Sequence, residues 1–322
     1  MRRRRPRRRR PSAALAQPRV RLPLRPRARL RTSAAARQKR DREVASKDPT
    51  RQAVTAEGDW IQREGYLPRL ERIASELAAE WGLELGPRIA AGRYSYVAPA
   101  GPDAILKIVP AEDTDADHIA DALRFWNGDG AARLLRHDAA RRALLLERLR
   151  PGTESAALAE DDATAIAIDV GRRIWRTPQP GHPFRPIARW VERWLPRDDA
   201  HPLVPTARRT YESMAPRTDL VVHCDFHHHN ILSRGEEWVV IDPKPHVGEP
   251  EFDIPAFLWN PLGTVPTRER TERRIRAFAD AGLDGDRIRQ WAIVRGICDG
   301  LPIRPGRTEA DRKQLQVARL LI

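Results

Sequence analysis

The spacing of apolar residues changes once along this chain, and that change limits the folds the chain can adopt. From about residue 88 to residue 150, short apolar runs alternate with turns, in the order strand, strand, helix, strand, strand. After Pro151-Gly152 the spacing becomes mainly that of amphipathic helices. Because strands and helices are segregated, the pattern predicts an α+β fold. We expect a small strand-rich lobe, a larger helical lobe and a cleft between them.

The predicted elements can be assigned to segments of the chain. Strands are predicted over 88–98, 104–109, 131–135 and 143–149, and helices over 60–81, 113–126, 156–176, 187–195, 205–215 and 267–297. The exception in the second lobe is 220–242, where two apolar runs flank a polar turn. We expect a tail and linker over 1–57, a first lobe over 58–150 and a second lobe over 151–322.

The tail carries the charge imbalance of the chain, whose formal net charge is +14. Residues 1–40 contain 16 Arg and one Lys but no acid, which leaves 41 basic and 44 acidic residues in the remainder. Three interpretations stay open: a disordered and artefactual upstream extension, an arm that binds nucleic acid or an anionic surface, and a targeting peptide. A secretory signal is not expected, because arginines interrupt every apolar run.

Composition excludes several classes of protein. A hydrophobic content of 41% is enough for one large core or two modest ones, and no window approaches the roughly 18 apolar residues of a membrane helix. The two cysteines, Cys224 and Cys298, exclude a disulfide framework and favour a reducing compartment. We therefore expect a cytoplasmic protein that does not enter a membrane.

Polar residues concentrate where the two apolar runs of the second lobe end. The first run leads to His223 and Asp225 in a polar loop that also contains Asn230, and the second run leads to Asp242. Carboxylate and amide oxygens suit Mg²⁺, and an acid beside that metal could accept a proton from an attacking hydroxyl. Three adjacent histidines, 227–229, cannot all face one ion, so a zinc site is not expected.

These segments resemble a known family. The letters His223-Cys-Asp-Phe-His-His-His-Asn-Ile-Leu and Val240-Ile-Asp-Pro-Lys-Pro-His-Val-Gly-Glu-Pro-Glu-Phe-Asp253 are similar to the catalytic and metal-binding segments of the aminoglycoside 6-phosphotransferase and hydroxyurea phosphotransferase family. That family has the protein-kinase-like fold. Further segments agree in the family's order, among them Ala104-Ile-Leu-Lys-Ile and Leu144-Leu-Leu-Glu-Arg-Leu-Arg-Pro-Gly152. The resemblance extends from about residue 60 to about residue 300.

The resemblance implies roles for the residues of the loop and of the first lobe. Asp225 would act as catalytic base or orient the acceptor hydroxyl, and Asn230 and Asp242 would hold Mg²⁺. Lys107 would pair with the α- and β-phosphates of ATP, for which a point charge on a flexible stem is suited. His223 would be a structural residue that holds the loop by hydrogen bonds.

The nucleotide side shows the clearest departures from the family pattern. Backbone groups at Glu147 and Leu149 would face the adenine edge, but the turn expected to cradle phosphates has Gly92 as its only glycine. The helix acid expected to pair with the strand lysine aligns near Ile119, which leaves Asp117 or Asp121 as substitutes. In the catalytic loop, Cys224 stands where the family usually has glycine, and we expect slight crowding there.

The acceptor site is less well defined by the sequence. A polycationic acceptor requires carboxylates, and Glu251 and Asp299 are candidates for that contact. Asp253 could be another, although bracing of the catalytic loop is the interpretation we favour for it. Net charge does not decide among these residues, because the acids and bases of the second lobe cancel.

Three functions are compatible with the sequence. The resemblance implies an ATP- and Mg²⁺-dependent kinase that phosphorylates an aminoglycoside hydroxyl, at the 6-position of a streptomycin-like compound, and so confers resistance. The same chemistry could act on hydroxyurea or on an endogenous metabolite. A third hypothesis, of another class, is a nucleic-acid-binding protein that works through residues 1–40, with a degenerate kinase-like body. Against it, that tail lacks the aromatic residues on which single-strand binders stack bases.

Overall fold

The structure is a computed structural model that describes residues 66–89, 95–199, 201–301, 308 and 312–322. These residues all belong to one compact unit. The tail predicted over 1–57 and the turn that contains Gly92 lie outside the described residues, so what the sequence predicts for them stays a prediction.

The first lobe is built on a four-stranded antiparallel sheet with the strand order β1-β2-β4-β3. Its strands are β1 (Tyr96–Ala100), β2 (Ala104–Ile108), β3 (Leu134–Asp138) and β4 (Ala143–Glu147), and its helices are α1 (Tyr66–Trp81) and α2 (Ile119–Trp126). Leu70 and Leu77 of α1 share a buried apolar cluster with Leu106 and Ile108 of β2. The predicted hairpin and the predicted order of elements are confirmed.

The second lobe is mainly helical and also contains two small sheets. Its helices are α3 (Glu160–Ile174), α4 (Ile187–Trp194), α5 (Val204–Glu212), α6 (Ile254–Leu258), α7 (Arg268–Asp280), α8 (Gly285–Gly300) and α9 (Lys313–Leu321). Its strands are β5 (Pro151–Glu154), β6 (Arg185–Pro186), β7 (Leu220–Val222), β8 (Ile231–Arg234), β9 (Glu237–Val240) and β10 (His246–Gly248). The sheets have the orders β5-β8-β9 and β6-β10-β7. The α+β class predicted from the sequence is confirmed. None of the described helices combines the length and the apolar character that crossing a bilayer requires.

The polar loop predicted around Asp225 lies between buried strands. It connects β7 to β8, which pairs with β9 as an antiparallel hairpin, and Asp242 follows the end of β9. Five apolar residues of these three strands are fully buried: Val221, Val222, Ile231, Val239 and Val240. Burial of alternating or consecutive apolar residues fixes where each strand ends, so it also fixes where the polar residues emerge.

The helix predicted over 267–297 is two helices, α7 and α8. The chain turns at Gly282, whose φ of +107° is open to glycine but costly for other residues. Asp284 then caps α8, because its side chain accepts hydrogen bonds from the backbone N–H groups of Asp286 (2.9 Å) and Arg287 (3.0 Å). The apolar spacing continues across the break, and it was this continuity that made the single-helix prediction wrong.

Helix α9 packs closely against α8 at two glycines. Gly296 and Gly300 are four residues apart and therefore lie on the same face of α8. A Cβ added at Gly296 would lie 2.6 Å from the carbonyl oxygen of Gln314, and one added at Gly300 would lie 2.5 Å from Cγ of Leu315. Both distances are shorter than van der Waals contact, so only glycine permits this approach of the two helices.

Candidate active site

Asp225 lies in the loop between β7 and β8 with two polar partners. Asn230 donates from Nδ2 to the Asp225 carbonyl oxygen (2.9 Å) and to its Oδ2 (3.2 Å), and His227 Nε2 lies 3.3 Å from Oδ1. Burial raises the pKa of Asp225, but the charge and hydrogen bond of His227 and the charge of Lys244 outweigh it, so the pKa lies well below its usual range. The carboxylate, 35% exposed, is therefore ionised at neutral pH and accessible from the cleft.

The structure brings Lys107 of the first lobe to Asp242 of the second. Lys107 lies on β2 with 7% of its surface exposed, and its ammonium forms an ion pair with Oδ1 of Asp242. Burial raises the pKa of Asp242, whereas the charges of Lys107 and Lys244 lower it, and the net pKa is lowered. Two residues predicted to act on one nucleotide phosphate chain therefore meet across the cleft.

The oxygen atoms near this ion pair fit a hard cation. Asn230 uses Nδ2 for its bonds to Asp225, and Asp242 uses Oδ1 for its ion pair. Oδ1 of Asn230 and Oδ2 of Asp242 accept no hydrogen bond from any described residue. Two such ligands suit Mg²⁺, which keeps water and substrate phosphates as its other ligands. Elsewhere in the described ranges, no three His, Cys, Asp or Glu residues form a cluster that could hold a metal ion.

The three adjacent histidines diverge, as their adjacency predicts. His227 faces Asp225, and Nδ1 of His229 lies 2.7 Å from Oε2 of Glu154. His228 is buried and stacks on Phe257 with ring centroids 3.8 Å apart. Burial, together with the charges of Arg274 and the flanking histidines, lowers the pKa of His228 to about 2. His228 is therefore neutral at physiological pH.

Asp253 holds the start of the loop. Its carboxylate is fully buried and accepts hydrogen bonds from the backbone N–H groups of His223 (2.9 Å) and Cys224 (2.7 Å) and from Nε1 of Trp175 (2.8 Å). These bonds replace the hydration that a buried carboxylate loses. They are also the contacts that a bracing role requires.

His223 has the contacts of a structural residue. Its Nδ1 accepts from the Asp225 N–H (3.2 Å), so Nε2 carries the ring proton and donates it to the carbonyl of Ile241 (2.9 Å). Burial lowers the pKa of His223 despite the nearby carboxylates of Asp253 and Asp225. The neutral ring therefore links the catalytic loop to the chain just before Asp242.

Cys224 has a left-handed backbone, with φ of +63°. Glycine adopts this conformation freely, whereas other residues lose about 1–2 kcal/mol. The sequence led us to expect crowding by the side chain, but the thiol is accommodated at 3.4 Å from Nδ1 of His246. The departure from the family's glycine therefore affects the backbone rather than the packing.

The acids of the α2 region do not pair with Lys107. Ile119 begins α2 and is buried. Asp117 instead accepts hydrogen bonds from arginines of the β3–β4 turn (2.8 Å) and of β6 (3.0 Å), and Asp121 pairs with Arg124 (3.3 Å). The suggestion that Asp117 or Asp121 replaces the missing helix acid is therefore wrong for this structure, in which Lys107 relies on Asp242.

The segment after β4 offers fewer backbone donors than the sequence suggested. The N–H of Glu147 donates to the carbonyl of Arg133 (3.0 Å), and that of Arg148 donates to the carbonyl of Asp103 (2.8 Å). The N–H of Leu149 has no partner in the part of the chain that the structure describes. Leu149 thus keeps the donor predicted to face adenine, whereas the N–H of Glu147 is already used.

The two acids predicted to contact the acceptor have different surroundings. Glu251 is buried, with its carboxylate bonded to Arg217 (3.2 Å) and to the N–H of Asp284 (3.1 Å), so the structure does not bring it to the cleft. Asp299, in the last turn of α8, pairs with Arg295 (3.2 Å). Burial raises the pKa of Asp299, the charge of Arg295 opposes this, and the charge of Asp225 adds to the rise.

Sequence reasoning missed two residues that contact the loop, Trp175 and Arg295. Trp175 reaches Asp253 from the end of α3, and Arg295 donates from Nη2 to the carbonyl of Cys224 (2.9 Å). The available signal was the position of Arg295 in the apolar sequence of α8. A buried arginine almost always has partners, and one partner of Arg295 is the carbonyl of Cys224 in the loop.

Phosphoryl transfer requires positioning and neutralisation of phosphate charge more than covalent chemistry by the protein, and a buried lysine beside firmly held carboxylates is suited to both tasks. Fold and site together define a phosphotransferase of the protein-kinase-like class. The sequence profile of the aminoglycoside/hydroxyurea antibiotic resistance kinase family matches residues 81–303. The chain belongs to this family.

Individual relatives agree with that assignment. Streptomycin 6-kinase of Streptomyces griseus is 30% identical over 280 residues, which cover 80% of this chain and 90% of that protein. Hydroxyurea phosphotransferase of Kitasatospora aureofaciens is 29% identical over 284 residues, or 80% of each chain. The choline kinase LicA from Streptococcus pneumoniae superposes with a TM-score of 0.59 at 12% identity and covers 79% of this chain and 99% of its own. The predicted kinase-like fold is confirmed, and the protein is an O-phosphotransferase.

Proposed function

We propose that the protein transfers the γ-phosphoryl group of ATP to a hydroxyl of an aminoglycoside, at the 6-position of a streptomycin-like compound, and so confers resistance. The observation that carries this proposal is the meeting of Lys107 with Asp242 beside the ionised Asp225. A phosphate-binding cation and a proton acceptor thus lie at one cleft. Streptomycin 6-kinases among the relatives support the choice of acceptor.

Asp225 supplies the acid–base part of the reaction. Its carboxylate accepts the proton of the acceptor hydroxyl as that oxygen forms a bond to the γ-phosphorus. The bond between the γ-phosphorus and the β–γ bridging oxygen breaks in line, and ADP leaves. Asn230 and His227 hold the carboxylate in orientation throughout.

The nucleotide is held from both lobes. Lys107 contacts the α- and β-phosphates, and the N–H of Leu149 donates to the adenine edge. The phosphate contact expected from the sequence for Gly92 falls outside the described residues and stays a prediction. Asn230 and Asp242 would hold Mg²⁺, which when bound would neutralise phosphate charge. ATP and Mg²⁺ are thus the cofactors of the proposed reaction.

The charges around the cleft favour a cationic acceptor over neutral hydroxyurea. Burial lowers the pKa of Lys244. Four nearby carboxylates outweigh this effect and raise that pKa above its usual value: Asp225, Asp113, Asp242 and Asp115. Asp299, which pairs with Arg295, is a further acid on which the charge of Asp225 acts. A guanidinium or ammonium group of an aminoglycoside is stabilised by such surroundings, because opposite charges attract strongly where water is scarce.

The proposal is tested by ADP release from the full chain with ATP and Mg²⁺, across streptomycin, other aminoglycosides and hydroxyurea. We expect turnover with streptomycin, loss of that turnover in Asp225→Asn, and a phosphate on the 6-oxygen of the product by NMR. Turnover with hydroxyurea alone would mean that the proposed acceptor is wrong and that the proposed phosphotransfer reaction is right. No acceptor-dependent turnover, despite ATP binding, would overturn the proposal.

The nucleic-acid hypothesis is separated by deleting residues 1–57, which lie outside the described part of the chain. Under the proposed function, phosphotransfer survives this deletion. If the tail were the working part, DNA binding would disappear with it and no acceptor would be phosphorylated by either protein. The limits of the two lobes, residues 58–150 and 151–322, are part of the same proposal. Limited proteolysis of the full chain tests whether the first lobe begins at residue 58.

A further inference from the structure

We propose that Arg295 is a positioning residue for phosphoryl transfer, because it holds the peptide group from which Asp225 extends. Arg295 lies in α8, 71 residues after Cys224, and is 4% exposed. Its Nη2 donates to the carbonyl oxygen of Cys224 at 2.9 Å. This carbonyl belongs to the peptide bond that joins Cys224 to Asp225. The kinetic part of the inference rests on the proposed function.

This peptide group needs a partner because of the backbone conformation before it. Cys224 has φ of +63°, a value that favours glycine. Its N–H is held by Asp253 (2.7 Å) and its carbonyl by Arg295, so the strained residue is fixed at both ends. Without the second bond, the chain at Cys224 could relax towards the right-handed region. That rotation would turn the following Asp225 carboxylate away from the acceptor.

The guanidinium is suited to this position in a way that an ammonium is not. Nη1 of Arg295 donates to the carbonyl of Phe252 (2.9 Å) while Nη2 serves Cys224, so one planar group holds two carbonyls at a fixed angle. The guanidinium also lies over the rings of Phe252 (4.6 Å) and Trp190 (5.1 Å). Its charge is balanced by Asp299. Lysine at this position would keep the charge but could not hold both carbonyls.

Arg274 provides a matched control within the same lobe. It is 2% exposed in α7, donates from Nη1 to the carbonyls of Phe257 (2.8 Å) and Asn260 (2.6 Å), and lies over the Phe257 ring at 5.3 Å. Burial, ring contact and carbonyl partners thus resemble those of Arg295. The carbonyls that Arg274 holds belong to α6 and its end, not to the peptide that carries Asp225.

The kinetic test compares Arg295→Lys, Arg274→Lys, Cys224→Gly and the double variant Cys224→Gly/Arg295→Lys in the full chain. We expect Arg295→Lys to lower kcat about 10- to 100-fold, as for a small misplacement of a reacting group, with KM for ATP unchanged. Arg274→Lys leaves kcat unchanged. In the Cys224→Gly background, Arg295→Lys costs much less kcat, because glycine keeps the left-handed conformation without support.

A second readout does not depend on activity. Hydrogen exchange of a peptide spanning 220–226, which ends before His228, should accelerate in Arg295→Lys and not in Arg274→Lys. Arg295→Gln replaces the lysine variant if that protein does not fold. Equal responses to the two arginines, or no recovery with glycine, would overturn the proposal and make Arg295 an ordinary stabilising residue. If wild-type protein phosphorylates no acceptor, the proposed function fails, and hydrogen exchange alone decides the role of Arg295.

Discussion

The two sides of the cleft hold their functional residues in different ways. The loop of Asp225 is tied by buried bonds to Asp253, to the end of β9 through His223, and to α8 through Arg295. On the first-lobe side, Lys107 is held by its ion pair with Asp242, since the acids near α2 bind arginines instead. The proposed proton acceptor, Asp225, is therefore preorganised, whereas the lysine is held by the acid proposed to bind the metal.

This difference predicts different kinetic consequences of mutation. Changes in the braced loop should reduce kcat, because they disturb groups that act during transfer. Changes around Lys107 should mainly reduce kcat/KM for ATP, because bound nucleotide supplies the remaining contacts of Lys107. The four predictions that follow test this division, from the largest expected effect to the smallest.

Replacing Asp225 by asparagine should have the largest effect. Asparagine keeps the size of the side chain but cannot accept the hydroxyl proton, so we expect kcat to fall about 10³-fold. Steady-state ADP release with the acceptor measures this loss, and an unchanged melting temperature shows that the loop is intact. Retention of a tenth of wild-type kcat would exclude Asp225 as the base.

Replacing Lys107 by methionine should reduce kcat/KM for ATP about 10²-fold, because it removes a cation from the phosphate chain. Lys107→Arg should not restore activity, since the guanidinium is larger and would be confined on a buried strand. The measurement is an ATP titration at saturating acceptor. Equal loss at all ATP concentrations, with KM for ATP unchanged, would contradict the assignment of Lys107 to the nucleotide side.

The stability of the protein should depend on pH through His228, which lies in the braced loop. Its pKa of about 2 in the folded state is far below the value of about 6.5 in the unfolded chain. As pH falls below 6.5, the unfolded chain binds a proton that the folded protein does not, so stability is lost. From pH 7 to pH 5 this histidine should remove about 2 kcal/mol from the free energy of unfolding.

The matched variant for that measurement is His228→Phe, which keeps a ring against Phe257 but cannot titrate. Urea unfolding at the two pH values should show a smaller decrease in stability for the variant than for the wild type. The same decrease in both proteins would mean that His228 becomes protonated in the folded state or that other groups set the pH dependence.

The smallest effect is expected from Asp117→Asn. This residue pairs with two arginines at a partly exposed position, where an ion pair contributes about 0–1 kcal/mol. We expect kcat/KM for ATP to change less than about fivefold. A loss as large as that of Lys107→Met would show that Asp117 reaches the lysine in the working enzyme, and the contrast between the two sides would no longer hold.

The sequence predicted the parts of the site that local patterns determine. Asp225 and Asp242 follow buried apolar runs, and burial of those runs fixes where the polar residues emerge. Lys107 lies in a strand of the predicted hairpin for the same reason. The braces could not be predicted in this way, because Trp175 bonds to Asp253 across 78 residues of sequence and Arg295 bonds to Cys224 across 71.

The prediction for Glu251 failed for a related reason. An acid next to a functional segment can face the cleft or the interior, and only its partners decide which. Arg217 and the N–H of Asp284, both distant in sequence, draw Glu251 into the lobe. The break between α7 and α8 was equally hidden, because the apolar spacing continues through a turn that depends on Gly282.

The close packing of α9 on α8 has a practical consequence for handling the protein. Gly296 and Gly300 let the backbone of α9 lie directly against the helix that carries Arg295 and Asp299. The last helix is thus part of the support of the catalytic loop, although it contributes no group to it. Affinity tags, fusions and surface immobilisation are therefore better placed before the first lobe than after α9. Truncation from residue 313 onwards would remove a helix that supports α8.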